Sequence, residues 1–197
     1  MFEGKAEIEK ALAALSEQLE ALGAGIVEMV VCGGAALNVL GYVHRTTKDV
    51  DVVALVEKNE GSISLIKAGP FSPLIKQAAD KVQKDFNLSE NWLNPGPASV
   101  MDFGLPKGLM ERTETRFYGK LLIIHYLGRH DQIHFKLHAA VDQGGKHFDD
   151  LLALNPSSQE FVDAARWSMT HDPSEGFRLI LKDFLKRIGH GDVAAKL

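Results

Sequence analysis

The chain holds one cysteine, Cys32, among 197 residues. An internal disulfide is therefore excluded, and its place in an apolar run marks it as a buried, inert thiol rather than a nucleophile. Long hydrophobic runs are missing too. None approaches the length of a membrane span, and the opening MFEGKAEIEK carries acidic residues where a leader peptide needs an apolar core. The expectation is a cytoplasmic protein without a membrane partner. Nor is there an excess of positive charge, since 22 Lys and Arg face 26 Asp and Glu for a net charge of −4. A strongly basic nucleic-acid binder is excluded, while a local basic patch is not. No repeat or low-complexity tract stands out.

What is present is the composition of an ordinary globular protein, 45% hydrophobic and 24% charged, long enough for a sizeable core in two lobes. Apolar residues recur at helical spacing from Ala6 to Leu22 (Ile8, Ala11, Leu12, Leu15, Leu19), and an apolar strand follows over Ile26 to Cys32. Gly33-Gly34 turns that strand into a short helical pattern, Ala35 to Leu40. A strand is expected over Asp49 to Val56, a loop over Gly61 to Gly69, and an amphipathic helix over Ser72 to Phe86. Asn91 to Pro106, rich in Pro, Gly and Asn, reads as irregular with at most a short strand near Ser99 to Phe103. Two strand-like pieces lie in Arg116 to Leu127. Beyond Gly128 the pattern is helical: Asp131 to Val141, Phe148 to Leu154, Ser158 to Thr170 and Ser174 to Ile188. The sum is an α+β protein, a small mixed β-sheet flanked by helices over residues 1–127 and a helical C-terminal lobe over 128–197.

The stretch from Met29 to Val56, MVVCGGAALNVLGYVHRTTKDVDVVALV, is the densest in chemistry. Asp49 and Asp51, two apart on a strand, share one face at about 6–7 Å along it, with Val50 and Val52 on the other. Such a pair suits a divalent cation. Gly33-Gly34 leaves backbone amides unshielded at a helix start, which suits a phosphate. Taken singly, the acidic pair reads better as a solvated edge strand or a strand-end turn, and the glycine pair as a structural turn. Arg45 and Thr47 either cap and solvate the loop before the acidic strand or, in the case of Arg45, contact phosphate or pair with Asp49.

Taken together, CGGAALNVLGYVHRTTKDVDVV resembles the minimal nucleotidyltransferase signature of the polymerase-β-like superfamily, a Gly-Gly turn, a helix and an Asp-hydrophobic-Asp strand. Its Arg-x-Thr-x-Asp-hydrophobic-Asp form is most similar to the branch containing the type IV abortive-infection toxins and related bacterial nucleotidyltransferase-like proteins. The resemblance implies a nucleotidyltransferase fold, with Mg²⁺ (or Mn²⁺) on Asp49 and Asp51 and the nucleotide at Gly33, Gly34, Arg45 and Thr47. A nucleoside monophosphate would pass from an NTP to a hydroxyl of RNA such as tRNA, of a protein or of a small molecule. A toxin or defence role, with a cognate antitoxin as partner, belongs to the same expectation. In FKLHAAVDQGGKHFDDLLAL the branch's helical lysine and Asp-Leu pair have counterparts in Lys136 and Asp150, with Asp149 the second candidate. The resemblance makes Lys136 a triphosphate contact and both residues catalytic; spacing alone reads them as a surface lysine and an acidic helix start. Many members of the superfamily bring a third carboxylate from a later strand. No motif marks it here, and Asp102, Glu111 and Glu114 are the candidates. The alternative is therefore a catalytically inactive nucleotide- or RNA-binding protein on the same fold.

His130, His134 and His138 fall at i, i+4 and i+8 of one expected helix. Ile133, Leu137, Ala140 and Val141 form its buried stripe, with the histidines on one flank and Lys136 on the other. The three read as solvated or structural, with a zinc site as the lesser reading. Trp92, Phe117, Phe135 and Trp167 are spaced as packing residues.

Overall fold

A computed structural model describes residues 1–59 and 61–197 of the chain. They fall into two compact units, one made of 1–102 and 113–127 and the other of 103–112 and 128–197. The protein is α+β, with a single mixed sheet flanked by helices and a helical C-terminal part.

In the first unit the helical periodicity of the N-terminus becomes α1 (Lys5–Ala21), followed by β1 (Val27–Cys32) and α2 (Gly33–Val39). Then come β2 (Val50–Asn59), β3 (Ser62–Lys67), α3 (Pro73–Asp85), β4 (Leu93–Asn94), β5 (Glu114–Tyr118) and β6 (Leu122–Tyr126). The sheet order is β3-β2-β1-β6-β5, with β4 added beside β2. β1 runs parallel to β6 and β2 parallel to β4; the remaining pairs are antiparallel. Ile8, Leu12, Leu15 and Leu19 of α1 join Ile75, Ala78 and Val82 of α3 in one cluster with Met29, Val31, Val50, Val52, Leu122 and Ile124. One face of the sheet is thereby covered, each large side chain contributing about 1.5–3 kcal/mol.

The pairing of β1 with β2 slips once. Val30 faces Ala54 and Val31 faces Val52, so Val53 is an extra residue on β2. Leu55 packs on the core, and strict alternation from it would send Val53 and Asp51 to the core as well. The bulge exchanges the faces. Val52 and Val50 reach the core instead, and Asp51 turns away from it.

Two expectations fail here. Gly61 to Gly69 is not a loop, because β3 fills it and pairs with β2 from Ala54–Lys67 to Asn59–Ser62. Five of its six residues are exposed, so no buried face imposes an alternation by which it could be recognised. Ser99 to Phe103 is not a strand but the end of a 3₁₀ helix, Gly96–Phe103; the short strand of this region is β4 upstream.

The second unit is built around α4 (Arg129–Gln143), which packs against α5 (Lys146–Ala153), α6 (Ser158–His171) and α7 (Glu175–Arg187). A single turn, α8 (Gly191–Ala194), closes it. Ser157 and Glu160 cap α6 reciprocally, and Ser174 caps α7 through Phe177 N–H at 3.1 Å. Residues 103–112 cluster with these helices, held by Arg112, whose Nε and Nη2 donate to Asp131 at 3.0 and 2.6 Å. Among the described residues no helix is long and apolar enough to cross a membrane.

Phe2 ties the chain's start to the approach of β2. It exchanges backbone hydrogen bonds with Thr47 (2.8 and 3.0 Å), and its buried ring meets Trp92 edge-on at 6.0 Å. Phe2→Ala removes that anchor, and urea unfolding is expected to show a loss of about 3–5 kcal/mol.

Candidate functional site

β1 delivers the chain to Gly33, which takes a φ of +71°, open to glycine and strained for other residues. A Cβ on Gly33 would lie 2.2 Å from Asp51 Oδ2 and 3.1 Å from its Cγ. The carboxylate thus rests on the bare side of the glycine, across from Cys32 in the strand register. Its other oxygen, Oδ1, accepts a hydrogen bond from Asn94 Nδ2 at 2.9 Å. Asn94 is the register partner of Asp51 on β4, and Gly96 N–H donates to its Oδ1 at 2.9 Å. That bond fixes which end of the amide faces the carboxylate.

The neighbouring Gly34 is crowded in the same way. A Cβ there would meet Thr47 Oγ1 at 2.8 Å and Arg45 Nη2 at 3.0 Å. Asn38, buried on α2, donates from Nδ2 to Gly34 O at 2.9 Å and accepts from Arg45 N–H at 3.3 Å. Arg45 Nη1 donates to Thr46 O at 2.9 Å, and the buried Thr47 hydroxyl donates to Asp49 O at 3.4 Å. Gly33 and Gly34, whose amides the sequence leads one to expect bare, are both buried under the chain's own side chains. Gly33, Gly34, Arg45, Thr47 and Asp51 form one constellation, a carboxylate on one glycine and a guanidinium on the next. Asp49, partly buried, stands at its edge just before β2.

Asn38 and Asn94 are the residues that sequence reasoning missed. A lone asparagine in the apolar run AALNVL was a signal for the first; the second was masked by the turn-forming Asn-Pro-Gly around it.

In the second unit Lys136 and Asp150 are brought together. Nζ lies 2.7 Å from Oδ2, with the side chains only 5% and 1% exposed, so the lysine lies buried rather than at the surface. Asp149 is exposed. Of the candidate third acids, Asp102 is paired with Lys67, Glu114 with Arg116 at 3.6 Å, and Glu111 is exposed. Among the described residues no group of three or more His, Cys, Asp or Glu is arranged to hold a metal.

The histidine stripe sits in an aromatic cluster. His134 Nδ1–H donates to His130 O at 2.8 Å, and the His134 and His138 rings meet Trp167 edge-on at 5.8 and 5.9 Å. His171 lies 5.3 Å from His138 and 4.2 Å from Trp167; its Nε2 and Trp167 Nε1 both donate to Gly104 O at 3.1 Å. Burial pulls His134, His138 and His171 below the usual histidine range, favouring their neutral forms.

Comparison of the chain with protein-family models, with curated proteins and with solved structures finds no match.

Gly33→Ala adds backbone strain of about 1–3 kcal/mol and a clash with Asp51, so it lowers stability in urea titrations more than Gly34→Ala, whose neighbours are side-chain ends. The histidines give a second expectation. Unfolded histidines take up protons near pH 6.5 while the folded ones resist, so stability is whole above about 6.5 and is lost as the pH falls below it. The melting temperature should be lower at pH 5.5 than at pH 7.5; a flat profile contradicts neutral burial.

Proposed function

We propose that the protein is a divalent-cation-dependent nucleotidyltransferase, moving a nucleoside monophosphate from an NTP to a hydroxyl. The observation that carries the reading is the two-glycine turn with Asp51 packed on Gly33 and Arg45 packed on Gly34. Mg²⁺ binds through one or two carboxylates and completes its shell with water and substrate phosphates. Asp49 and Asp51 fit that demand as an all-oxygen pair, and Mn²⁺ accepts the same donors. When bound there, the ion would supply charge neutralisation at the reacting phosphates. Arg45 offers the planar fork that phosphate oxygens accept, close to the turn's backbone amides, and Thr47 holds the backbone of Asp49. Most of the rate would come from positioning and electrostatics.

The roles that the resemblance implies for Lys136 and Asp150 belong to the same proposal, as do an RNA, protein or small-molecule acceptor and an antitoxin partner. A second reading, a nucleotide-binding protein without turnover, is favoured by Asn94. At the register position beside Asp51 it supplies an amide where a third carboxylate would add a ligand. Mg·NTP binding in calorimetry, with no pyrophosphate release over RNA and protein acceptors, would decide for it.

With labelled NTPs and total RNA, Asp49→Asn and Asp51→Asn should each cut transfer by at least roughly 10²–10³-fold, the scale of removing one preorganised group that stabilises a transition state. Undiminished transfer in both variants would overturn the assignment.

A further inference from the structure

A polar row crosses four strands of the first unit, apart from the acidic pair. Lys58 of β2 donates to Glu28 Oε1 on β1; Glu28 Oε2 lies 3.0 Å from His125 Nε2 on β6; and His125 Nδ1 lies 3.0 Å from Thr115 Oγ1 on β5. Thr115 and His125 are direct cross-strand partners. The row is buried in its middle and open at both ends, with the Lys58 side chain 55% exposed. The Glu28 side chain is 8% exposed and that of His125 13%, while Thr115 is exposed on the edge strand.

The chemistry of these groups fixes the direction of the bonds. The Lys58 ammonium and the imidazole together hold the Glu28 carboxyl below the usual carboxylate range against the opposing effect of burial, so it stays ionised and can only accept. In its neutral form His125 gives its proton from Nε2 to Glu28, which leaves Nδ1 with a lone pair. The Thr115 hydroxyl donates to that lone pair. A hydroxyl bonded to a base, itself oriented by a carboxylate, is the arrangement that activates a nucleophile. The bland reading, a cross-strand Thr-His pair that packs and nothing more, explains the register; it does not call for a buried carboxylate behind the imidazole or a lysine behind the carboxylate.

We propose that Thr115 is an activated hydroxyl and a modification site, accepting a group from an electrophilic phosphorus donor of the phosphoric-anhydride class. In the step, Thr115 Oγ1 forms a bond to phosphorus and its proton passes to His125 Nδ1. The bond from phosphorus to the leaving oxygen breaks, and its electron pair departs with the leaving phosphate. The imidazolium so formed lies against the Glu28 carboxylate. Because Thr115 is exposed on an edge strand, the donor is one presented by another molecule. The proposal does not rest on the acidic pair.

The test uses the full-length protein and a fluorophosphonate reagent, which carries its own leaving group, fluoride. Labelling is followed by intact mass and mapped by peptide mass spectrometry. One adduct is expected, on Thr115; Thr115→Val should give none there and Thr115→Ser should retain it. His125→Gln should slow labelling at least tenfold. Glu28→Gln should slow it too, since the new amide can donate to Nε2 and turn the tautomer the wrong way. Near-ultraviolet circular dichroism checks that each variant is folded. An unlabelled Thr115 in the native protein, or an equal rate in folded His125→Gln, overturns the proposal.

Discussion

The seating of the Asp51 carboxylate on the bare α-carbon of Gly33 is the contact that orders the first unit. It demands a residue without a side chain, in a left-handed conformation, at the point where β1 gives way to α2. It also demands that Asp51 leave the core side of β2, which the extra Val53 arranges. Around it, Asn94 fixes one carboxylate oxygen, Thr47 holds the backbone of Asp49, and Phe2 holds Thr47. Each group is placed by the one behind it, so the turn is specified by packing as much as by its own glycines.

The second unit has a different organising logic. α4 carries three charged residues that each bind a separate segment: Arg129 the start of α6 and the carbonyls of Leu154 and Asn155, Asp131 the residue Arg112, and Lys136 the Asp150 of α5. Asp131, Lys136 and Asp150 are fully or nearly buried. Such pairs roughly offset their own desolvation, and their effect is to penalise every arrangement that separates them. Glu160 is held down to about 2 chiefly by its hydrogen bond from Arg129, and it stays ionised far into acid. Exposed pairs elsewhere, such as Lys81 with Asp85 at 3.3 Å, add little by comparison. In this lobe, apolar packing supplies cohesion and the buried charges select the helix arrangement.

How much of this the sequence carried depends on whether a residue's role was periodic. The helices of the second unit and α1, α3 and β6 bury regular stripes, so their periods declare them, while β1 and the first half of β2, buried on both faces, are marked by near-continuous apolar runs. β3 buries no face and could not be read. The bulge at Val53 left no local mark either; it exists because two faces of one strand need different residues at its two ends. Asp51, Gly33, Arg45 and Thr47 were legible as a cluster because they lie within one short stretch. Asn94 comes from 43 residues further along, and the Glu28–His125–Thr115 row joins strands separated by 97 and 10 residues. Only the sheet order brings them together. The burial of the two glycines was likewise hidden, since glycine records only that room is available and not what takes it.

The clustering of residues 103–112 with the C-terminal helices has a consequence for how this chain can be divided. The polypeptide passes from one unit to the other after Asp102, returns after Arg112, and leaves again after Leu127. Neither unit is a continuous piece of sequence. A fragment ended at Leu127 would keep Arg112 without Asp131 and Gly104 without Trp167, while the complementary fragment would carry a buried aspartate with no cation. The two halves are therefore not modules in the sense of shuffling or subcloning. Inheritance and engineering alike must treat the chain as one unit, and grafting the two-glycine turn onto another scaffold would require β4 and the N-terminal Phe2 to travel with it.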